Sequence, residues 1–260
     1  MNKEQSVTLL RQNKRKQVAA LNALGFASVT VETRASLFDD YIKWARGLLD
    51  VRVAAVRISD GAKFYLTIQE WESLTSTNKA LFVRQGVRIR ANGLDFILAA
   101  SAIGTFAWGG TYDVATVPNY PVTGSSCAFN YNTLDALTLT ECSNSAYGTT
   151  VRNGVEGAPA AKAALEYKAF RKSNDGVEDD AKWCLPTPKH CLALYLHKEA
   201  INDVLRRAWS SDNIVTDSPL WTCFECGNST AWQFKISYGG ANEENKVTSL
   251  TVRPITLFNT

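Results

Sequence analysis

The chain has 260 residues, of which 45% are hydrophobic, 20% charged and 10% aromatic, and its formal net charge is +3. That length fits one large domain or two modest ones with a real core, and the balance excludes an intrinsically disordered chain. The small net charge argues against nucleic-acid binding over the whole surface.

Charge is concentrated at the start, where Lys3, Arg11, Lys14, Arg15 and Lys16 fall within seventeen residues. This pattern reads as a solvated helix face in preference to a nucleic-acid arm, and an arm docking on an acidic neighbour stays open. The basic opening lacks the apolar run of an export signal, and the longest apolar stretch, Phe96 to Trp108, is short of a membrane span. A soluble chain that does not insert in membranes is therefore expected.

In chain order, Val7, Leu10, Val18, Leu21 and Leu24 predict an amphipathic helix over 5–24, with Gly25 as its C-terminal cap. Leu37, Tyr41, Trp44 and Leu48 predict a second over 36–50, opened by Ser36. A hairpin follows, VRVAAVRIS and KFYLTI around Asp60-Gly61, then a short helix with Thr67 and Glu70 as a capping box. GVRIR and LDFILAAS around Asn92-Gly93 predict another hairpin. From Gly104 to Gly157 the sequence turns Gly-, Ser-, Asn- and Tyr-rich and aperiodic, which predicts irregular loops. A helix is expected over 158–170, opened by Pro159. Next comes the strand KWCLP, stopped at Pro186, and a helix over 187–208 with Leu192, Leu196, Ile201 and Leu205 inward. Three strands end the chain: PLWTCFE, TAWQFKIS and, after Gly239-Gly240, VTSLTVRPITLF. The whole predicts an α+β fold, with two helices on small antiparallel sheets.

Few residues suit catalysis. His190 and His197 stand seven apart on one predicted helix without an acidic partner, and the Gly-Ser-Ser at 124–126 lacks the flanks of a nucleophile elbow. GGTYD and NGVEG carry no phosphate-loop lysine. Cysteines at 127, 142, 184, 191, 223 and 226 are expected as free buried thiols, with no required disulfide. Cys223 and Cys226 form a CxxC, and with His190, Cys191 and His197 a zinc site is conceivable. The second ligand pair is missing, so no metal and no cofactor are expected. The chain reads as a non-enzyme.

One ordered set of short motifs stands out: the helix AAKAALEY, then Trp183-Cys184-Leu185-Pro186, a helix containing Ile201-Asn202, the strand LWTCFE, Ala231-Trp232, and a terminal VRPITLF. This set resembles a bacterial and phage domain family with a C-type-lectin-like fold, a fold shared with phage tropism determinants and formylglycine-generating enzymes. The residues that carry it are Trp183, Leu185, Pro186, Ile201, Asn202, Leu220, Trp221, Thr222, Glu225, Ala231, Trp232, Val252, Arg253, Pro254 and Phe258. Cys223 and Phe224 depart from the small hydroxyl residues usual in that strand.

The resemblance covers about residues 86–260 and implies a lectin-like domain there, after an attachment and oligomerisation region at 1–85. It implies a structural protein of a tailed bacteriophage, such as a head fibre or a tail or baseplate fibre, at the virion surface and made in the host cytoplasm. The expected partners are other virion proteins through the N-terminal region, a host-surface glycan or protein, and two further copies in a homotrimer, with no nucleic acid. Display loops would carry Trp108, Tyr112, Tyr120, Tyr131, Trp209, Asp212, Asn213, Asn228 and Tyr238, residue types that suit recognition. The alternatives are a bacterial surface carbohydrate- or protein-binding module and, further off, an oxidase of the formylglycine-generating type. Arg253 is expected to bond carbonyls or a carboxylate such as Glu225.

Overall fold

The structure is a computed structural model that describes residues 49–91, 93–111, 136–171, 177–209 and 215–258, with backbone alone at 142. The helices expected over 5–24 and 36–50 lie outside these residues except for Leu49 and Asp50, which instead lead into a strand. A compact unit begins at Leu49. The expected boundary between 85 and 86 is therefore not a structural one, because residues 50–66 supply two strands to the sheet that also holds the C-terminal strand.

That sheet has six strands in the order β2 (Lys63–Leu66), β1 (Asp50–Arg57), β3 (Phe82–Ala91), β4 (Leu94–Ala99), β13 (Ile255–Leu257) and β8 (Trp183–Cys184), every pair antiparallel. β1 (Asp50–Arg57) and β2 (Lys63–Leu66) form the first hairpin, turning at Gly61 with φ 71°, a left-handed backbone that glycine adopts without strain. β3 (Phe82–Ala91) and β4 (Leu94–Ala99) form the second. Val53, Ala55, Val87, Ile89, Phe96 and Leu98 face the main core, while Ala54, Ile97 and Ala99 face the other side under Trp183. This is the two-residue period of a sheet covered on both faces. Pairing steps from Ala54↔Gly86 to Ala55↔Arg84, so Gln85 is the extra residue of a bulge.

The second sheet runs β11-β10-β9-β12-β5. Its strands are β5 (Gly104–Ala107), β9 (Pro219–Glu225), β10 (Thr230–Lys235), β11 (Gly240–Asn245) and β12 (Ser249–Val252). All pairs are antiparallel save β9 with β12. The ladder between β9 and β10 breaks after Ala231↔Glu225 and resumes at Gln233↔Trp221. Groups freed there find other partners: Cys223 N–H donates to the Pro186 carbonyl at 2.9 Å, and the Thr222 carbonyl accepts from the Trp108 indole at 2.8 Å.

Helices fill the main core. α1 (Ile68–Ser73) has the expected Thr67–Glu70 capping box, and α2 (Ser76–Lys79) is a single turn. α3 (Ala136–Tyr147) corrects the expectation of irregular loops through this region, as do β5 and the small hairpin of β6 (Val151–Arg152) with β7 (Val155–Glu156). Its sequence ALTLTECSNSAY has weak helical periodicity. Thr140 and Ser143 back-bond to carbonyls four residues earlier, so polar side chains are buried where an apolar stripe would be sought. α4 (Pro159–Glu166) packs alanines into the core.

After β8 (Trp183–Cys184) the expected helix over 187–208 is two helices, α5 (Pro188–Leu196) and α6 (Lys198–Ala208), broken at His197. The break changes which faces point inward. Leu192 and Leu196 are 40% and 54% exposed, against the expectation, while Ile201 and Leu205 are buried. Pro188 occupies the first turn, and Thr187 and His190 close a capping box.

β13 (Ile255–Leu257) lies inside the six-stranded sheet between β4 and β8. The two residues before it, Arg253 and Pro254, therefore carry the chain from one sheet to the other. Proline has no N–H to leave unpaired at this crossing, and its carbonyl accepts from Ala99 N–H at 2.9 Å.

Candidate recognition site

The motif residues sit at the joints of this framework. The Asp179 carboxylate, fully buried, accepts four hydrogen bonds: Trp183 Nε1 at 2.7 Å, Gln85 Nε2 at 2.8 Å, Ala169 N at 2.8 Å and Ala181 N at 3.1 Å. The bulge at Gln85 aims its amide at this carboxylate. Tyr167 packs edge-on against Trp183, 4.9 Å between ring centroids, and its phenol is pushed up to about 12 by burial and then by Asp179.

Asn202 receives Val215 N–H at 2.7 Å and donates to the Val215 carbonyl at 3.1 Å, tying α6 to the chain ahead of β9. The Trp221 indole donates to the Phe106 carbonyl at 2.8 Å. Arg253 donates to the carbonyls of Ala99 at 3.0 Å and Ala100 at 2.5 Å, and burial lowers its guanidinium to about 10. Of the two expected kinds of partner, the carbonyls take it. Glu225 is held instead by Lys246.

This second buried ionic site was not legible in advance. Lys246 Nζ bonds Glu225 and reaches the Asn228 carbonyl at 3.1 Å, while the Tyr147 hydroxyl lies 3.3 Å from Glu225 Oε1. Trp108 and Tyr147 flank the ammonium, with centroids at 5.3 and 5.7 Å. Both charges are almost wholly withdrawn from water, so the aromatic faces and the carbonyl replace hydration.

The expected display residues divide. Tyr112, Tyr120, Tyr131, Asp212 and Asn213 lie outside the described residues. Trp108 is not a display residue: it is 1% exposed and packed edge-on against Tyr147 at 5.8 Å. Trp209 is half-buried at the end of α6, 5.2 Å from the Arg84 guanidinium, which bonds the Ala208 carbonyl. Asn228 and Tyr238 are exposed at the turns flanking β10.

Neither histidine has the geometry of a catalytic base. His190 is buried against Phe96, its Nδ1 2.7 Å from the Thr187 hydroxyl, and burial lowers its pKa to about 3. His197 is also lowered by burial. Cys184, Cys191 and Cys223 are buried and not in disulfides, but Cys226 is disulfide-bonded, which corrects the expectation of thiols throughout and removes one thiol from the CxxC. Among the described residues no group of three or more His, Cys, Asp or Glu could hold a metal ion, and no helix is long and apolar enough to cross a membrane.

The outer face of the six-stranded sheet carries a groove of about 400 Å³, within the range of small-ligand sites. Tyr65, Phe258, Ile97, Thr256, Asp180 and Lys182 are among the residues that line it. The two rings meet edge-to-face at 5.2 Å. The Arg88 guanidinium lies 4.3 Å from the Tyr65 centroid and 4.1 Å from that of Phe258, and Asp95 grips it at 2.7 and 2.9 Å. Lys63 and Asp180 pair at 3.0 Å. Sequence reading found only Phe258 among these, as a motif residue; the alternation of Lys63 and Tyr65 on an edge strand was the available signal for the rest. The chain matches no protein-family model, and no curated protein matches it in sequence.

Proposed function

We propose that this chain is a recognition protein displayed on the particle of a tailed bacteriophage, with residues 49–260 as a lectin-like binding domain and residues 1–48 as the attachment segment. The observation that carries the reading is where the motif residues fall. Trp183-Leu185-Pro186, Asn202, Trp221 and Arg253-Pro254 each secure a joint between sheets, helices or chain crossings. A framework fixed at its joints tolerates varied loops, as a display scaffold must. The exposed Asn228 and Tyr238 and the groove residues supply the polar and aromatic surface that binding needs. Attachment shifts from 1–85 to 1–48 because β1 and β2 belong to the domain's own sheet.

The disulfide at Cys226 favours a second reading, a bacterial surface binding module, since such bonds persist in oxidising surroundings. Purified particles and cell envelopes from the organism that carries the gene, probed with an antibody to the full chain, separate the two. Signal in particles, with host adsorption blocked by added full-length protein, is the expected result. Signal confined to envelopes would replace the first reading with the second.

A further inference from the structure

We infer that the groove on the outer face of the six-stranded sheet binds an acidic sugar, a pyranose carrying a carboxylate, either free or at the end of a glycan. This rests on the recognition reading and places its ligand on the sheet face rather than on the display loops.

The groove's chemistry is mixed in a way that a pyranose matches. A pyranose has an apolar face of C–H groups and a rim of hydroxyls. The Tyr65–Phe258 wall offers the first a surface to stack on, and Asp180, Thr256 and the Tyr65 phenol offer the second donors and acceptors. The phenol stays protonated, since burial raises its pKa. The charge arrangement selects an acid. Lys63 is neutralised by Asp180 and Arg88 by Asp95, whereas Lys182 has no ion-pair partner among the described residues and stands at the groove exposed. A ligand carboxylate would complete that balance.

The walls are already fixed. Arg88 packs against both rings and is gripped by Asp95, and the segment bearing Lys182, just ahead of β8, is anchored through Asp179 and Trp183. The rings have little freedom left to lose on binding, and Lys182 is the side chain that a ligand would still have to order. A peptide fits less well. Adding a strand would use the backbone edge of β2 or β8, whereas side chains of β2, β3, β4 and β13, with Leu137 of α3 and the segment 180–182, line this groove.

The test is calorimetric titration of the full chain with sodium glucuronate, methyl β-glucuronide, glucose, sodium acetate and an oligo-aspartate peptide. Saturable binding of glucuronate, weaker binding of glucose and none of acetate are expected. Retained binding of the methyl glycoside identifies a glycan terminus, and its loss identifies the free acid. Lys182→Glu should weaken glucuronate by at least about tenfold and leave glucose unchanged, while Tyr65→Ala should weaken both. Lys182 is exposed, so its variant keeps the reading open if Tyr65→Ala misfolds. Absence of glucuronate binding, indifference to Lys182→Glu, or tighter binding of the peptide at the groove would overturn the assignment. If the chain is found on particles yet glucuronate does not bind, the groove assignment alone fails. If glucuronate binds and the chain is absent from particles, the virion reading alone fails.

Discussion

Replacing Asp179 by alanine should be among the most damaging single changes to this fold. The carboxylate is fully buried and accepts from four donors, each between 2.7 and 3.1 Å away. Two of them, Trp183 Nε1 and Gln85 Nε2, belong to buried side chains. A buried donor left without an acceptor costs about 1–3 kcal/mol. The Ala169 and Ala181 amides are only partly buried and can turn to water. A loss of about 3–5 kcal/mol follows, a large share of the roughly 5–15 kcal/mol that holds a domain together. Urea denaturation followed by tryptophan fluorescence measures it. Asp180→Ala is the control, because that neighbour is exposed and among the described residues pairs with Lys63 alone, and it should stay within about 0.5 kcal/mol of wild type. A cost below about 1 kcal/mol for Asp179→Ala, or equal costs at the two positions, would refute the claim that this carboxylate fastens β8 to the bulge in β3.

At the other buried ionic site, Lys246→Met alone should cost about 3–5 kcal/mol by taking the ammonium away from the buried Glu225 carboxylate, and the double change Lys246→Met with Glu225→Met should cost less than the two single losses added. A double-mutant cycle in urea checks this, and simple additivity would count against the pairing. His190 sets a pH dependence: its folded pKa, about 3, lies below the ordinary 6.5, so only the unfolded state takes up the proton as pH falls between these values. Stability from the neutral ring is complete above pH 6.5 and falls by up to about 1.4 kcal/mol per pH unit below it. The difference between wild type and His190→Gln, measured by urea midpoints from pH 7 to 4.5, should carry that slope; parallel curves would exclude it.

Much of the framework was legible because local signals and tertiary demands agree. Asp60-Gly61 and the alternation in VRVAAVRIS and KFYLTI specify the same hairpin. Thr67 and Glu70 cap the helix that packs Trp71 into the core. Pro186 ends β8 and lends its carbonyl to Cys223. The tandem helix after it was misread because one apolar period was carried through His197, where α5 ends and α6 restarts on a different face. In the same way, α3 stayed hidden because its inward face is partly hydroxyl.

The ionic features were beyond reach for a deeper reason, which bears on the site. Asp179 and Asp180 are neighbours in a polar run, yet one is fully buried with four donors and the other lies exposed at the rim of the groove. Composition and spacing treat them alike. What separates them is a bulge at Gln85, ninety-four residues away, that turns one amide toward the first carboxylate. Lys246 is likewise buried in a polar turn because Glu225 and two aromatic rings come from distant elements to receive it. A charge is worth burying only where several partners converge, and such convergence belongs to the fold. The same holds for the groove. Tyr65 and Phe258 stand almost two hundred residues apart and become one wall only because β13, threaded past Pro254, inserts beside β4 in the sheet that β2 edges. The Arg253-Pro254 crossing between the two sheets is thus also what brings Phe258 to the groove.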